Sequence, residues 1–467
     1  MHEEWTLFLL LLDKMLSSAS STVYFKQFYL GCLAHASYLI GDSGEAAVID
    51  PQRDVDQYLD EAGRENLRIK YVIETHLHAD FVSGHRELAA RTGAQIVIGA
   101  EANAAFPHFG AREGDTLRLG TIELRALETP GHTPESICWL LLENGKPAKV
   151  ITGDTLFIGD VGRPDLAGGR GYTPQMMASM MYDSLHNKLL KLPDDVEVWP
   201  AHGAGSACGR NISTETSSTI GVQRRTNYAL QAMSREEFVT LMTNEIPPAP
   251  PYFSRDAEIN RRGARALAEV TAAPLAADRV REEINRGAIV LDVRDPVTFG
   301  KEHISGAINI GLGGQFASWC GTLLPAEAPL VVCAHSVPRA SEAVMRLARV
   351  GIESALGFVT SAEEFDRASI PQITVSDLRE RRFRVLDVRR KSEYEMGHVP
   401  SAQHIPLDEL PRRISEVAQN GPLAVICASG YRSSIASSLL QRERFPDVLN
   451  VVGGTAGWVR AGYAVES

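Results

Sequence analysis

Short apolar runs alternate with polar turn segments over residues 23–245. Each run has the length of one β-strand, and longer segments between some of them have room for a helix. The clearest strand-like runs are residues 46–49, 71–73, 95–98, 122–125, 149–151 and 196–199. The pattern predicts a layered α/β domain over residues 23–245.

Prolines end this block. Residues 246–251 read Ile-Pro-Pro-Ala-Pro-Pro, and proline fixes φ and lacks the backbone N–H that a central strand or helix interior needs. We therefore predict a proline-rich linker over residues 246–270.

The chain begins with an apolar run at residues 7–12. That run is far shorter than the roughly 20 residues that span a bilayer, and the preceding His2-Glu3-Glu4 is not the basic start of a secretory signal. We interpret residues 1–22 as a non-native or disordered extension and expect a cytoplasmic protein.

The remaining sequence repeats itself. Ile-Val-Leu-Asp-Val-Arg at residues 289–294 recurs as Arg-Val-Leu-Asp-Val-Arg at 384–389, and His303 and His398 are spaced by the same 95 residues as Asp292 and Asp387. A solenoid repeat is about 20 to 50 residues long, so this period indicates two tandem domains. We place them at residues 271–368 and 369–467, each a small parallel-sheet domain.

Charge and cysteine content narrow the function classes. A net charge of -11 over 467 residues argues against nucleic acid and anionic membranes as partners, because both are polyanions. The six scattered cysteines do not form a disulfide framework and fit a reducing compartment, where a thiol is either catalytic or inert.

Candidate metal ligands follow several of the predicted strands. His76, His78 and Asp80 lie in the motif Thr-His-Leu-His-Ala-Asp-Phe at residues 75–81, and three further candidates follow later strands: His132, Asp154 and His202. Strand ends at one edge of a sheet converge, so these side chains can surround a metal. Phe81 ends the motif, and its phenyl ring cannot ligate, which favours one ion over two.

These positions, in this order, resemble the metallo-β-lactamase fold over essentially the whole first block. Gly-Asp-Thr-Leu-Phe-Ile at residues 153–158 and Gly-Arg-Pro-Asp at 162–165 are similar to the persulfide dioxygenase branch. The resemblance implies an αββα sandwich that holds one Fe(II) per chain through His76, His132 and Asp154. Two histidines and one carboxylate favour non-haem Fe(II) with open coordination positions. His78, Asp80 and His202 are then expected to orient the ligands and bound water.

By the same resemblance, the reaction oxidises a low-molecular-weight thiol persulfide with O₂ to sulfite. The thiol is of the glutathione, coenzyme A, cysteine or bacillithiol type. Arg163 is either a contact for the substrate anion or an ion-pair partner of Asp165, and Cys208 is either a relay thiol or a packed core residue.

A second candidate centre is the loop around Cys427. Val-Ile-Cys-Ala-Ser-Gly-Tyr-Arg at residues 425–432 reads as a strand, a tight loop and the start of a helix. The backbone N–H groups of such a loop and the helix N-terminus stabilise a thiolate. Arg432 adds a guanidinium group suited to sulfur oxyanions.

This loop and its surroundings resemble rhodanese, including Leu-Asp-Val-Arg at 386–389 and Gly-Gly-Thr-Ala-Gly-Trp at 453–458. The resemblance implies a doubly wound parallel-sheet domain in which Cys427 is the catalytic thiol that accepts sulfane sulfur. The substrate-binding residues are then Ser429, Gly430, Tyr431 and Arg432.

The middle domain has the same framework but a disturbed loop. Cys333 and Arg339 have one more residue between them than Cys427 and Arg432, no glycine lies between them, and Pro338 removes one N–H group. The loop is either a Cys-x5-Arg phosphatase loop or a degenerate, structural rhodanese module. We favour the degenerate module.

The whole arrangement resembles bacterial fusions of persulfide dioxygenase with rhodanese. It implies sulfide detoxification, with O₂, a thiol persulfide, sulfite and thiosulfate as small-molecule partners, and we expect a homo-oligomer. Two alternatives stay open at this point: a zinc-dependent thioester hydrolase of the glyoxalase II type, and a persulfide carrier or sensor.

Overall fold

The computed structural model describes residues 23–381 and 383–467. The interpretation of residues 1–22 as an extension lies outside the described residues. The chain forms two compact units, the first made of residues 23–79, 83–249 and 257–265 and the second of 80–82, 250–256 and 266–467.

The first unit contains two six-stranded sheets, ordered β1-β2-β3-β4-β5-β6 and β12-β11-β10-β9-β8-β7. The strands are β1 Tyr24–Leu30, β2 His35–Asp42, β3 Glu45–Ile49, β4 Arg68–Ile73, β5 Gln95–Gly99, β6 Phe109–Ala111, β7 Thr116–Leu119, β8 Ile122–Glu128, β9 Ile137–Glu143, β10 Lys146–Gly153, β11 Glu197–Pro200 and β12 Ser218–Thr219. The helices are α1 Asp56–Arg64, α2 His85–Thr92, α3 Pro174–Tyr182, α4 Ile220–Thr226 and α5 Arg235–Thr243.

Three apolar clusters explain the layering of this unit. The central cluster joins the inner faces of the two sheets, with Tyr38 and Ile73 from one and Trp139 and Ile151 from the other. A second cluster packs α1 and α2 on the outer face of the first sheet, and a third packs α3 and α5 on the outer face of the second. The first unit is therefore an αββα sandwich, in which each sheet buries both of its faces.

The second unit contains two parallel sheets, ordered β15-β13-β16-β17 and β19-β23-β22-β20-β21, and the small antiparallel pair β14-β18. Its strands are β13 Ile289–Asp292, β14 His303–Ile304, β15 Ile308–Asn309, β16 Leu330–Cys333, β17 Ala355–Val359, β18 Arg367–Ala368, β19 Gln372–Ile373, β20 Arg384–Asp387, β21 Gln403–His404, β22 Leu423–Ile426 and β23 Val448–Val451. Its helices are α7 Ala277–Asn285, α8 Pro296–Lys301, α9 Phe316–Leu323, α10 Val337–Ala348, α11 Val375–Glu380, α12 Lys391–Glu395, α13 Leu410–Arg413, α14 Tyr431–Arg442 and α15 Gly454–Arg460.

The internal repeat is visible in the strand pairing of the two parallel sheets. β13 pairs with β15 and β16 just as β20 pairs with β21 and β22, and Asp292 and Asp387 occupy the same place at the ends of β13 and β20. We call the part built on β13 the middle module and the part built on β20 the last module. The predicted fold class, an αββα sandwich followed by two parallel-sheet domains, is confirmed.

The predicted linker over residues 246–270 is only partly irregular. Residues 246–252 form neither helix nor strand, but Phe253–Arg262 is an α-helix, α6. Phe253, Asp256 and Asn260 of α6 are buried, so the segment is packed and not merely a spacer. The four prolines just before it hid this helix, although a proline restricts only its own backbone and that of the residue before it, which leaves the chain after Pro251 free to form a helix. Over the described residues, no helix has both the length and the apolar character needed to cross a membrane.

Candidate metal centre and thiol loop

Three predicted ligands meet in the first unit. His76 follows β4, His132 follows β8, and Asp154 follows β10 directly. Each offers one ligand atom, and the three atoms lie within 4.8 Å of one another. Asp154 Oδ2 is 3.4 Å from His132 Nε2 and 3.8 Å from His76 Nε2. All three side chains are buried.

The free atoms of this group fit a bound cation. Among the described residues, His76 Nε2, His132 Nε2 and both carboxylate oxygens of Asp154 are buried without a hydrogen-bond partner. Four such atoms in one place are costly unless something satisfies them. Burial is the main cause that lowers the pKa of His132 and, together with the neighbouring histidines, lowers that of His76 well below the usual range. Both rings are therefore neutral at pH 7, as a metal requires.

A hydrogen-bonded chain orients His76. Thr75 Oγ1 donates to Asp50 Oδ2 at 2.8 Å and lies 3.0 Å from His76 Nδ1, while Thr75 N donates to Asp50 Oδ1 at 2.7 Å. Because the threonine proton is given to Asp50, the same hydroxyl accepts from His76 Nδ1–H. This tautomer leaves the Nε2 lone pair directed toward Asp154.

Backbone groups orient His132. Its Nδ1 lies 2.9 Å from the carbonyl oxygen of Arg163, which fixes Nδ1 as the protonated nitrogen. Gly162 makes this approach possible, since a Cβ there would lie 2.1 Å from Asp154 O and 2.9 Å from His132 Nδ1. Gly153 adopts φ +52°, and a Cβ there would lie 2.5 Å from Thr75 Oγ1. The glycines of the Gly-Asp and Gly-Arg segments thus allow the ligand loops to pack closely.

His202 and His78 lie next to the ligand group. His202 Nε2 is 3.6 Å from Asp154 Oδ1, the carboxylate oxygen turned away from His132. His78 Nε2 is 3.1 Å from Asp50 Oδ1. Both also lie close to His35, which follows no motif in the sequence, and one ligand atom from each of the three rings lies within 4.8 Å of the others. Asp80 and Phe81 are buried, and their expected roles stay predictions.

Glu74 and His85, a buried acid and base, flank residues 75–83, which we call the metal loop. Glu74 accepts from Ser83 Oγ at 2.7 Å, and its Oε1 is 3.7 Å from His85 Nδ1. Burial raises the pKa of Glu74 to about 8 and lowers the pKa of His85 to about 3. Both side chains are therefore uncharged at neutral pH, so neither adds a charge to the protein interior beside the metal loop.

Asn260 of α6 forms hydrogen bonds to the metal loop at two points. Its Nδ2 donates to the carbonyl oxygen of His78 at 2.8 Å, and its Oδ1 accepts from Ser83 N at 2.8 Å. One buried amide therefore bridges the two ends of residues 78–83. Nothing in the local sequence marks this residue, because it lies some 180 positions away in the predicted linker.

Arg163 is engaged in an ion pair. Its Nε and Nη2 donate to the two carboxylate oxygens of Asp165 at 2.6 and 2.7 Å, and its Nη1 donates to Ala207 O at 3.3 Å. Of the two alternatives for Arg163, the ion pair is the one present in this structure, and the substrate contact stays a prediction. Cys208 is buried, and its carbonyl oxygen accepts from Arg163 N.

In the last module, the thiol loop joins β22 to α14. Gly430 N donates to Cys427 Sγ at 3.1 Å, and Ser433 Oγ donates to it at 3.4 Å. Gly430 adopts φ +109°, which a side chain would disfavour. Ser429 is exposed at the tip of the loop. The loop thus surrounds the sulfur with donors, as a thiolate requires.

Arg432 forms a bidentate pair with Glu393, at 2.7 and 2.6 Å. Burial alone would raise the pKa of Glu393, but the hydrogen bonds and charge of Arg432 lower it below its usual range. From the sequence we expect Arg432 to face an anionic substrate, and the pairing with Glu393 is found only in the structure. In this structure the guanidinium group is held beside the thiol loop by a carboxylate.

The middle module has a different loop chemistry. Burial is the main cause that raises the pKa of Cys333 to about 12, so its sulfur is a thiol at neutral pH. Arg339 lies half exposed and pairs with Glu342 of its own helix at 2.5 Å. A phosphatase loop needs an activated thiolate and a free arginine. These observations therefore favour a degenerate rhodanese module over a phosphatase loop.

Comparison with known proteins follows the same division of the chain. Residues 30–202 match the Metallo-beta-lactamase superfamily, and residues 276–368 and 371–461 each match the Rhodanese-like domain. Human Persulfide dioxygenase ETHE1, mitochondrial, is 34% identical over 222 residues, which are 46% of this chain and 78% of the human protein. A probable metallo-hydrolase of Burkholderia pseudomallei (strain 1710b) is 31% identical over 248 residues, or 44% of this chain and 81% of that protein.

A crystal structure of a metallo-beta-lactamase from Staphylococcus aureus is similar over a longer span. It is 32% identical with a TM-score of 0.66, and the match covers 72% of this chain and 99% of the other. The chain therefore belongs to the metallo-β-lactamase superfamily, with two rhodanese-like domains after the metallo-β-lactamase domain. Its first unit is homologous to the ETHE1 persulfide dioxygenases, so the chain is a fusion of a domain of that type with two rhodanese-like domains.

Proposed function

We propose that the first unit oxidises a low-molecular-weight thiol persulfide with O₂ to sulfite, and that the last module transfers sulfane sulfur to sulfite. The observation that supports the oxidation most directly is the buried group of His76, His132 and Asp154, whose facing atoms have no hydrogen-bond partner among the described residues. The homology with persulfide dioxygenases supports persulfide oxidation as the reaction proposed for this group.

In this proposal His76, His132 and Asp154 hold one Fe(II) per chain. Bound there, Fe(II) would supply the redox chemistry that O₂ activation needs, and a two-histidine, one-carboxylate set would leave open coordination positions. Phe81 cannot ligate a second ion. Zinc, by contrast, has no accessible redox change with which to activate O₂.

The surrounding residues prepare the ligands. Thr75 and Asp50 keep the proton of His76 on Nδ1, and the Arg163 carbonyl does the same for His132. His78 and His202 border the group from the side of Asp50 and Asp154. Because every one of these rings is buried, bulk water is kept from the ligands, which strengthens their electrostatic interactions.

Sulfur transfer needs only Cys427 and its loop. The Cys427 thiolate attacks the outer sulfur of R-S-S⁻, a new S–S bond forms, and R-S⁻ leaves. Sulfite then attacks the outer sulfur of the cysteine persulfide, which forms the S–S bond of thiosulfate and returns the Cys427 thiolate. Gly430 N–H stabilises the sulfur anion in both states, and Arg432 is placed to attract sulfite and thiosulfate.

Fusion raises the effective concentration of sulfite and persulfide at both centres without any further contact. The six cysteines are all free, which fits an enzyme that works in the reducing cytoplasm. The proposed role is therefore sulfide detoxification, in which one chain oxidises part of its persulfide and stores the other part of the sulfur as thiosulfate.

Oxygen uptake tests this proposal. Protein purified without O₂ and loaded with Fe(II) is mixed with glutathione persulfide or coenzyme A persulfide in an oxygen electrode, and sulfite and thiosulfate are measured. We expect uptake by the wild type and by Cys427→Ser, none by His76→Ala, and thiosulfate formation only when Cys427 is present.

The same experiment distinguishes the two alternatives. A hydrolase of the glyoxalase II type would release thiol from a glutathione thioester without O₂ uptake and would bind two metal ions. A persulfide carrier or sensor would bind sulfur at Cys427 and consume no O₂ even when loaded with iron. Either result would refute the dioxygenase assignment.

A further inference from the structure

One face of α14 carries a row of polar side chains that bond to the middle module. Tyr431 Oη donates to Gly311 O at 2.8 Å, and Ser434 Oγ donates to Asn309 Oδ1 at 2.7 Å. One turn later, Ser438 Oγ accepts from Asn309 N at 3.0 Å. The spacing of these residues, three and four positions apart, places them on one side of the helix.

The row continues to the C-terminal end of α14. Gln441 Oε1 lies 2.8 Å from His303 Nε2, and Arg442 Nη1 donates to Gly306 O at 2.8 Å. Five side chains of a twelve-residue helix therefore reach the middle module. An apolar interface would hold two domains together with less geometric precision, because hydrogen bonds constrain direction as well as distance.

Asn309 is central to this contact. It is fully buried at the end of the edge strand β15, and its Nδ2 donates to the carbonyl oxygens of Asp292 and Arg294 at 3.0 and 2.9 Å. Its Oδ1 is therefore turned toward Ser434. The same asparagine thus links the β13 framework of the middle module to α14.

The N-terminal end of α14 is the thiol loop itself. Tyr431 is the first residue of the helix, and Gly430, immediately before it, donates to Cys427 Sγ. The Tyr431 ring lies beside Gly311 and Gly314, since a Cβ added at these glycines would be 3.6 and 3.4 Å from ring atoms. Any displacement of the helix would move Gly430 N and Ser433 Oγ relative to the sulfur.

We propose that the middle module, whose own thiol loop is degenerate, positions the thiol loop of the last module through Asn309 and Gly311. Tyr431 and Ser434 are the positioning residues on α14. The inference rests on the proposed sulfur-transfer role of Cys427 and adds a reason for the presence of the middle module: it provides the rigid surface to which the helix of the reactive thiol is fixed.

Alkylation of Cys427 tests this without any sulfur donor or acceptor. The full-length protein is treated with iodoacetamide at pH 7, and the rate of modification of the Cys427 peptide is followed by mass spectrometry. Ser434→Ala leaves Asn309 Oδ1 without its donor, and Tyr431→Phe removes the bond to Gly311 O while retaining the ring. The matched control is Ser437→Ala, since Ser437 is a buried serine of the same helix whose Oγ has no hydrogen-bond partner among the described residues.

We expect alkylation to slow by about ten-fold in Ser434→Ala and in Tyr431→Phe, the effect of losing one buried hydrogen bond, and to stay within about two-fold in Ser437→Ala. Unfolding midpoints in urea are measured on the same samples. If the Ser434 and Tyr431 variants lose stability but keep the wild-type alkylation rate, the contact is only structural and the proposal is wrong. Equal slowing in all three variants would also overturn it. If alkylation behaves as expected while no variant, nor the wild type, transfers sulfur, the positioning holds and the proposed transfer reaction fails.

Discussion

Thr75 offers a direct test of how the metal ligands are oriented. Its hydroxyl connects His76 Nδ1, at 3.0 Å, with Asp50 Oδ2, at 2.8 Å. Thr75→Val has almost the same shape and lacks only the hydroxyl group. In this variant the buried His76 Nδ1–H loses its acceptor and Asp50 loses one of its donors, while Thr75 N, a backbone group, still donates to Asp50 Oδ1.

The expected losses of iron affinity and of stability follow from these two missing hydrogen bonds. Removing the partner of a metal-ligating histidine costs about 10- to 100-fold in metal affinity, which corresponds to roughly 1.4 to 2.7 kcal/mol. The metal-free protein should lose about 1 to 3 kcal/mol of unfolding free energy, since a buried donor and a buried acceptor are left unsatisfied. Uptake of O₂ should fall at limiting iron and recover in part when iron is in excess.

The assay is an anaerobic titration of Fe(II) against a chelator of known affinity, with urea unfolding of the metal-free protein alongside. Thr75→Ser is the control, because it keeps the hydroxyl and removes only a methyl group. We expect the serine variant to bind iron within about three-fold of the wild type. If valine and serine variants weaken iron equally, or if the valine variant binds like the wild type, the hydroxyl does not orient His76.

Three further predictions concern other parts of the molecule. Glu393→Gln should lower thiosulfate formation by about ten-fold without changing O₂ uptake, because Arg432 loses a charged partner. In the wild type the pair should weaken only in acid below the usual range of a glutamate carboxyl, because burial raises the pKa of Glu393 but the hydrogen bonds and charge of Arg432 lower it by more. Asn260→Ala should reduce the unfolding free energy by about 1 to 3 kcal/mol and reduce iron occupancy, because it removes two bonds to the metal loop; urea unfolding and iron analysis measure both. The third prediction concerns His85, which stays neutral in the folded protein down to about pH 3. In the unfolded chain this histidine takes up a proton near pH 6.5, so acid lowers the unfolding free energy of the native protein. His85→Gln should reduce this loss between pH 6.5 and 5 by up to about 1.4 kcal/mol per pH unit, and an unchanged slope would contradict a buried, neutral His85.

The meeting of His76, His132 and Asp154 could be predicted from the sequence because strand ends fix where such residues go. Each lies at or just beyond the end of a strand, and the sandwich topology brings these ends to one edge. Asp50 could have been found by the same rule, since it follows β3, which lies parallel to β4 in the sheet. Asp50 differs from the three ligands because it precedes a proline, and an Asp-Pro pair after a strand is also typical of an ordinary turn. Its position alone therefore does not indicate a functional residue.

Other contacts could not be predicted, because they depend on tertiary packing. Asn260 reaches the metal loop from a helix within a segment whose prolines suggested a linker. No motif in the sequence points to Glu393 as a partner of Arg432, because their pairing depends on how α12 and α14 meet. The contact of Asn309 with Ser434 requires both rhodanese-like domains to be folded. Side-chain partners of this kind carry no periodicity that a sequence pattern could reveal.

The central claim is that a single iron at His76, His132 and Asp154 drives oxidation of a persulfide. It is tested most directly by measuring the rate of O₂ uptake with glutathione persulfide against the number of iron ions bound per chain. We expect the rate to rise in proportion to iron and to reach its maximum at one ion per chain. A maximum reached only with two ions, or a fully loaded protein that consumes no O₂, would contradict it.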